Sequence, residues 1–151
     1  MKAEIKDTIQ IRELNYYSDD YRKELELRDE VLRKPLGMSL YNDNLEGDKS
    51  DTHIGAFLGE RLVGVLILTR LSDTDVKMRQ VAVTESMQSQ KVGSKMVRFA
   101  EDYAREKGYK SMVLNARKTA VSFYEKQGYS TISDEFLEIN IPHYKMQKQI
   151  G

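Results

Sequence analysis

At 151 residues, with 24 basic and 24 acidic side chains and a formal net charge of zero, the chain has no global field to draw in DNA, RNA or an anionic membrane. Hydrophobic residues at 40% and charged residues at 32% describe a soluble globular protein, expected as a single domain over residues 1–151. The absence of cysteine excludes disulfides, thiolate metal sites and a cysteine nucleophile. With no signal-like apolar core after Met1 and no run near the ~20 residues of a bilayer span, the expected location is the cytoplasm.

Residues Ile5–Leu14 alternate and predict a first strand. Asp19-Asp20 are placed to cap a helix running to about Leu32, with Tyr21, Leu25, Arg28 and Leu32 at helical spacing. Periodicity stops from Arg33 to Ser50, where Pro35, Gly37, Gly47 and several Asn and Asp residues predict a long loop of the kind found at binding sites. Thr52–Leu58 and Leu62–Leu71 read as a hairpin around Gly59-Glu60-Arg61. Val76–Thr84 follows as a strand, with Met78, Gln80 and Ala82 on one face and Val81 and Val83 on the other. Val92–Lys107 has Val92, Met96, Phe99 and Tyr103 at helical spacing and ends at Gly108. A short strand over Tyr109–Asn115, a short helix over Thr119–Gln127 closed by Gly128, and strands near Tyr129–Ile132 and His143–Gln149 complete the chain. The order predicts an antiparallel meander followed by strand–helix–strand with a parallel pair, a mixed α/β sheet.

Gln88-Ser89-Gln90-Lys91-Val92-Gly93-Ser94 joins a strand to an amphipathic helix. Backbone N–H groups and the dipole at such a helix start favour an anion, and Gly93 permits close backbone approach. Many strand–helix turns hold one glycine, so the turn alone also reads as plain structure.

Two motifs change that balance. Arg79-Gln80-Val81-Ala82-Val83 followed by Gln88-x-x-Lys91-x-Gly93-Ser94 resembles motif A of the GNAT superfamily of N-acetyltransferases. Ala120-x-x-Phe123-Tyr124-Glu125-Lys126-x-Gly128-Tyr129 resembles its motif B. Val31-Leu32-Arg33-x-Pro35-Leu36-Gly37, His53-Ile54 and Ile141-Pro142-His143-x-x-Met146 are similar to the ElaA/YjcF-like branch. The resemblance implies a central, mostly antiparallel sheet of about seven strands flanked by helices, with a splayed parallel pair at the cofactor site. It implies transfer of an acetyl group from acetyl-CoA (or another short acyl-CoA) to a primary amine on a small molecule or peptide. The cofactor residues it implies are Val81, Ala82, Val83, Gln88, Ser89, Lys91, Val92, Gly93, Ser94, Asn115, Ala120, Phe123, Tyr124 and Lys126. Lys91 stands where the family usually has a glycine. If the position needs φ > 0, lysine there costs roughly 1 kcal/mol; alternatively its ammonium neutralises phosphate.

No Ser-His-Asp or Cys-His arrangement is visible, which favours direct attack in a ternary complex over an acyl-enzyme. The resemblance makes Tyr124 the acid that protonates the departing thiolate; the plain alternative is a core aromatic beside Phe123. Asn115 reads equally as a turn residue. The strand Val76–Gln80 carries no carboxylate, leaving His143 as a candidate catalytic base and His53 and His143 as candidate acceptor contacts, or both as hydrogen-bonded strand histidines. Arg33 and Arg79 are placed to bind an acidic acceptor, whereas Glu135, Glu138, Asp43, Asp48 and Asp51 would attract a cationic one; solvated charge is the plain reading of the loop aspartates. No metal is expected from two isolated histidines, and a homodimer is only the common default. The missing strand carboxylate and Lys91 also fit a non-catalytic acyl-CoA-binding module. A nucleotide-binding protein is disfavoured by the lack of Gly-Lys-Ser/Thr and Gly-x-Gly-x-x-Gly.

Overall fold

The structure, a computed structural model, describes residues 8–151. The expected strand start at Ile5 lies outside the described residues, as does the side chain of Ser89, an expected cofactor contact. The chain divides into two compact units. One holds the described residues up to Thr69 together with Gln80–Ala100, the other Arg70–Arg79 together with Glu101–Gly151.

In the first unit, strands β1 (Ile9–Leu14), β2 (Thr52–Leu58) and β3 (Arg61–Arg70) form an antiparallel meander. Its registers run from Ile9↔Leu58 to Leu14↔His53 and from Thr52↔Leu68 to Leu58↔Arg61. Helix α1 (Asp19–Arg28) starts at Ser18, which takes the extended cap conformation without a side-chain hydrogen bond; Asp19 and Asp20 lie in the first turn instead of capping it, where they complement the helix dipole. The buried face of α1 is Glu24, Leu27 and Arg28; of the expected Tyr21–Leu25–Arg28–Leu32 stripe only Arg28 is fully buried, the other three being half-buried. Leu27 packs with Leu14, Phe57, Leu62, Val65 and Ala82. Each such large apolar side chain contributes about 1.5–3 kcal/mol when fully buried.

Helix α1 runs on as a π-helical turn, Asp29–Arg33. The expected loop then folds as three short 3-10 turns, Lys34–Leu36, Leu40–Asn42 and Glu46–Ser50. Helix α2 (Val92–Glu106) lies close against β3 because Gly64 has no side chain: a Cβ there would meet Met96 Sδ at 2.9 Å and Val92 Cγ1 at 3.3 Å.

The second unit contains the start of β4 (Asp75–Val83), which pairs in parallel with β5 (Ser111–Arg117) from Asp75↔Ser111 to Lys77↔Val113. Strand β8 (Ile141–Gln149) runs antiparallel to β5 along its whole length. It also pairs with β6 (Ser130–Thr131) and β7 (Phe136–Glu138). The turn between β7 and β8 has positive φ at both Ile139 (47°) and Asn140 (61°), the backbone of a tight two-residue hairpin. Strand β7 has no counterpart in the expected elements, because that turn lacks the glycine that usually marks one. Helix α3 (Val121–Lys126) follows a 3-10 turn over Lys118–Ala120. Together the strands make an eight-stranded, mostly antiparallel sheet with one parallel pair, flanked by helices: the expected fold class, with one strand more than anticipated.

Candidate active site

The candidate anion-binding turn lies in the first unit. Thr84 N–H donates to the Val63 carbonyl at 2.9 Å and fixes the end of β4. A 3-10 turn, Glu85–Gln90, leads to Lys91 at φ 59°, ψ 23° in the left-handed region. The usual glycine is therefore explained by backbone geometry, and Lys91 keeps the same conformation at a cost of roughly 1–2 kcal/mol. Its side chain is exposed. The Val92 side chain is fully buried and anchors the helix, so only its N–H is directed to the helix opening; Gly93 follows it there. Gln88 is exposed, and its amide donates to the Val83 carbonyl at 3.0 Å.

Strand β4 is kinked at Gln80, whose φ is 55°. The expected alternation through Gln80 breaks there. Met78 and Ala82 are buried, while Gln80, Val81 and Val83 are each half-buried.

A closed set of charges stands behind that kink. Arg28 Nη1 donates to Glu24 Oε2 at 2.9 Å and to Asp48 Oδ2 at 2.7 Å, and its Nε donates to Gln80 Oε1 at 3.3 Å. His53 Nδ1 lies 2.8 Å from Glu24 Oε1, and its Nε2 lies 2.7 Å from the Asp48 backbone carbonyl. Tyr21 OH donates to Asp48 Oδ2 at 2.7 Å. The four charged side chains are at most 2% exposed. A carbonyl only accepts, so His53 Nε2 carries a proton; Nδ1 faces a carboxylate, so a second proton on the ring completes both bonds. Imidazolium also makes the quartet neutral, two positive groups against two negative, where a neutral ring would leave one uncompensated buried charge. Burial pushes the His53 pKa down, but the Glu24 hydrogen bond and charge, with the Asp48 carbonyl and charge, outweigh it and leave the value raised. His53 is thus a hydrogen-bonded strand histidine with no ring nitrogen facing outward. Asp48, read from sequence as solvated or amine-attracting, is buried structure.

Arg33 is likewise consumed within the chain. Its guanidinium reaches both Asp43 oxygens, at 3.3 and 2.8 Å, and the Leu32 carbonyl at 3.0 Å.

The second unit brings Asn115, Glu138 and His143 together. Asn115 Nδ2 donates to Glu138 Oε1 at 3.2 Å, and His143 Nε2 lies 3.4 Å from Glu138 Oε2. His143 Nδ1 lies 2.7 Å from the Ile141 carbonyl, which fixes a proton on that nitrogen. The ring is 4% exposed, whereas the Glu138 side chain is 47% exposed. Tyr124 is buried between Phe123 and Tyr129, each edge-on to it at 5.0 and 5.8 Å, and burial pushes its phenol up to about 12. Tyr129 is structural: its OH donates to Glu101 at 2.8 Å, and burial with that carboxylate raises its pKa strongly. Ala120 and Arg79 are half-buried, and Lys126 is exposed.

A strand kinked near its end, a left-handed turn opening an amphipathic helix and a sheet with one short parallel pair give the mixed α/β fold of the expected class. Residues 18–150 match the family model described as Acetyltransferase (GNAT) domain. The uncharacterized N-acetyltransferase YjcF of Bacillus subtilis strain 168 is 33% identical over 123 residues, covering 81% of this chain and 87% of YjcF. Escherichia coli ElaA superposes with a TM-score of 0.81 at 20% identity, covering 94% of this chain and 100% of that one. A GNAT acetyltransferase from Elizabethkingia anophelis, solved with acetyl-CoA bound, gives 0.73 at 17% identity, over 95% and 99% of the two chains. The chain belongs to the GNAT family of acetyltransferases, in its ElaA/YjcF-like branch.

Sequence reasoning passed over Glu24 and undervalued Asp48 and Arg28. The available signal was Arg28 itself, a charge on the core-facing stripe of a helix with Glu24 four residues before it. A buried cation requires a partner, and that pair marks where to look.

Proposed function

We propose that the protein transfers the acetyl group of acetyl-CoA to a primary amine by direct attack, with residues 1–151 acting as one functional domain. The observation that carries this reading is the turn at Lys91, left-handed where the family's glycine stands and opening directly into the N-terminus of α2. It fits a pyrophosphate held by the N–H groups of Val92 and Gly93, with the Lys91 ammonium adding charge.

In this reading the neutral amine attacks the thioester carbonyl carbon, and the carbonyl oxygen gathers charge. Main-chain N–H at the kinked end of β4, around Val81, stabilises that oxyanion. The tetrahedral species collapses, the C–S bond breaks, and Tyr124 hands its proton to the CoA thiolate. A phenol raised to about 12 remains protonated at neutral pH and so carries the proton this step needs. Glu138, held by Asn115 and His143, receives the proton lost by the amine, and its half-exposed carboxylate favours a cationic acceptor. His143 acts through Glu138.

Because the chain has no cysteine, a thiol reagent reports released CoA without background. Acetyl-CoA should raise the melting temperature, and an amine panel should give CoA release. Tyr124→Phe should lower kcat by about 10²-fold with acetyl-CoA affinity nearly intact. Binding without release across the panel would replace the enzyme by an acyl-CoA-binding module; no binding at millimolar acetyl-CoA or other acyl-CoAs would remove both.

A further inference from the structure

We infer that Arg28 is a positioning residue for the kinked strand β4, holding Gln80 in its left-handed conformation from the buried Glu24–Asp48–His53 frame. The inference rests on the acetyltransferase reading above and assigns Arg28 no contact with substrate.

The argument begins with strain. A non-glycine residue at φ 55° is strained and persists where its surroundings over-determine it. Gln80 has no side chain suited to that conformation, unlike Asn or Asp, which hydrogen-bond their own backbone. What holds it is the guanidinium. One nitrogen, Nη1, is committed to Glu24 and Asp48, and Nε is left to donate to Gln80 Oε1 at 3.3 Å. The guanidinium is planar and rigid, so fixing Nη1 fixes the direction of Nε.

The frame gives Arg28 little freedom. Its side chain is 1% exposed. Glu24 is one turn earlier on the same helix face, and its other contact is His53 Nδ1. Asp48 is tied by Tyr21 OH as well as by Arg28. Strand β2, through His53, and the turn Glu46–Ser50, through Asp48, therefore brace a single arginine whose Nε reaches β4. A frame of this completeness exceeds what one helix needs for stability, since a buried charge network is often no more stabilising than apolar packing. Its product is a defined backbone at Gln80 and Val81.

Arg28→Lys keeps a cation for Glu24 and Asp48 but has no second donor in the fixed direction. Gln80→Ala removes the acceptor at a half-buried position. Gln80→Glu restores an acceptor for Nε. Steady-state CoA release at saturating amine should show kcat lowered about tenfold in Arg28→Lys and in Gln80→Ala, with KM for acetyl-CoA unchanged. The double variant should fall no further than Gln80→Ala, the signature of one shared interaction, and Gln80→Glu should recover most of the loss. Wild-type kcat in both folded single variants, multiplicative losses in the double variant, or Gln80→Glu no better than Gln80→Ala would each overturn the inference. If Arg28→Lys does not fold, the two Gln80 variants decide by themselves. Absence of turnover in the wild type defeats the acetyltransferase reading instead; the amide resonances of Gln80 and Val81 then decide, since positioning requires them to shift in Arg28→Lys while those of β1 stay in place.

Discussion

The chain has two histidines, one in each unit, and they show what its polar groups are for. His53 sits in a closed account of charge: both ring nitrogens face acceptors, and every charged neighbour is spoken for by another. His143 is as buried, yet its Nε2 faces a carboxylate that is half in water. The first arrangement has no open valence for a ligand and serves the scaffold. The second ends on a carboxylate that water reaches. Burial of the ring does not separate them; the exposure of the partner does.

The largest expected effect tests that contrast directly. His53→Ala removes a cation from a sealed site and leaves Glu24 Oε1 and the Asp48 carbonyl without their His53 donors, while Arg28 still holds Glu24 Oε2. Breaking a buried ionic set in this way costs about 3–5 kcal/mol, seen as a lower urea midpoint with an unchanged slope. His143→Ala loses the bond to the Ile141 carbonyl, while Glu138 is simply rehydrated, so the cost is about 1 kcal/mol, with CoA release falling by more than the stability loss explains. Equal destabilisation by the two substitutions would dissolve the distinction.

A smaller effect, in pH, sharpens it. The groups facing His53 are Glu24, Arg28, Asp48, Tyr21 and the ring of Tyr16. Its pKa is raised in the folded protein, so folding takes up a proton. The stability this contributes is fully present below the unfolded value of about 6.5 and is lost as pH rises through the raised folded value. The gap in unfolding free energy between wild type and His53→Gln should therefore narrow from pH 6 toward alkaline pH. A gap independent of pH would mean that the ring is neutral when folded.

Much of this was legible in the sequence, and the gaps have physical causes. Hydrophobic alternation located β2, β3 and β4 to within a residue or two at each end, because a half-buried strand must alternate or run apolar. The Lys91 turn was legible because left-handed backbone has a residue preference and the chain departs from it. The buried quartet was not: Glu24 lies 29 residues from His53 and Arg28 lies 20 from Asp48, and composition treats charged residues as surface until a fold removes water from all of them at once. The kink at Gln80 was hidden for a related reason, since its φ is imposed from outside by Arg28 and not chosen by glutamine. Strand β7 was missed because Ile139-Asn140 makes a tight turn without glycine.

The smallest effect concerns Lys91, the outward-facing counterpart of Arg28. Arg28 is a cation whose partners hold a strained neighbour; Lys91 is exposed and carries the strain itself, at φ 59°. Lys91→Gly relieves the left-handed penalty but adds freedom to the unfolded chain, for a net gain of about 1 kcal/mol in stability. If the ammonium serves the cosubstrate phosphates, the same change weakens acetyl-CoA by a factor of about 2–5, the scale of an exposed ion pair. Lys91→Gln separates the two effects: it removes the charge but keeps the strain, so it should lose the same affinity and gain no stability. A Lys91→Gly protein that is more stable and binds acetyl-CoA as tightly as wild type would leave Lys91 with strain and no function. The contrast between charges spent inside the chain and charges kept for a ligand would then rest on Glu138 alone.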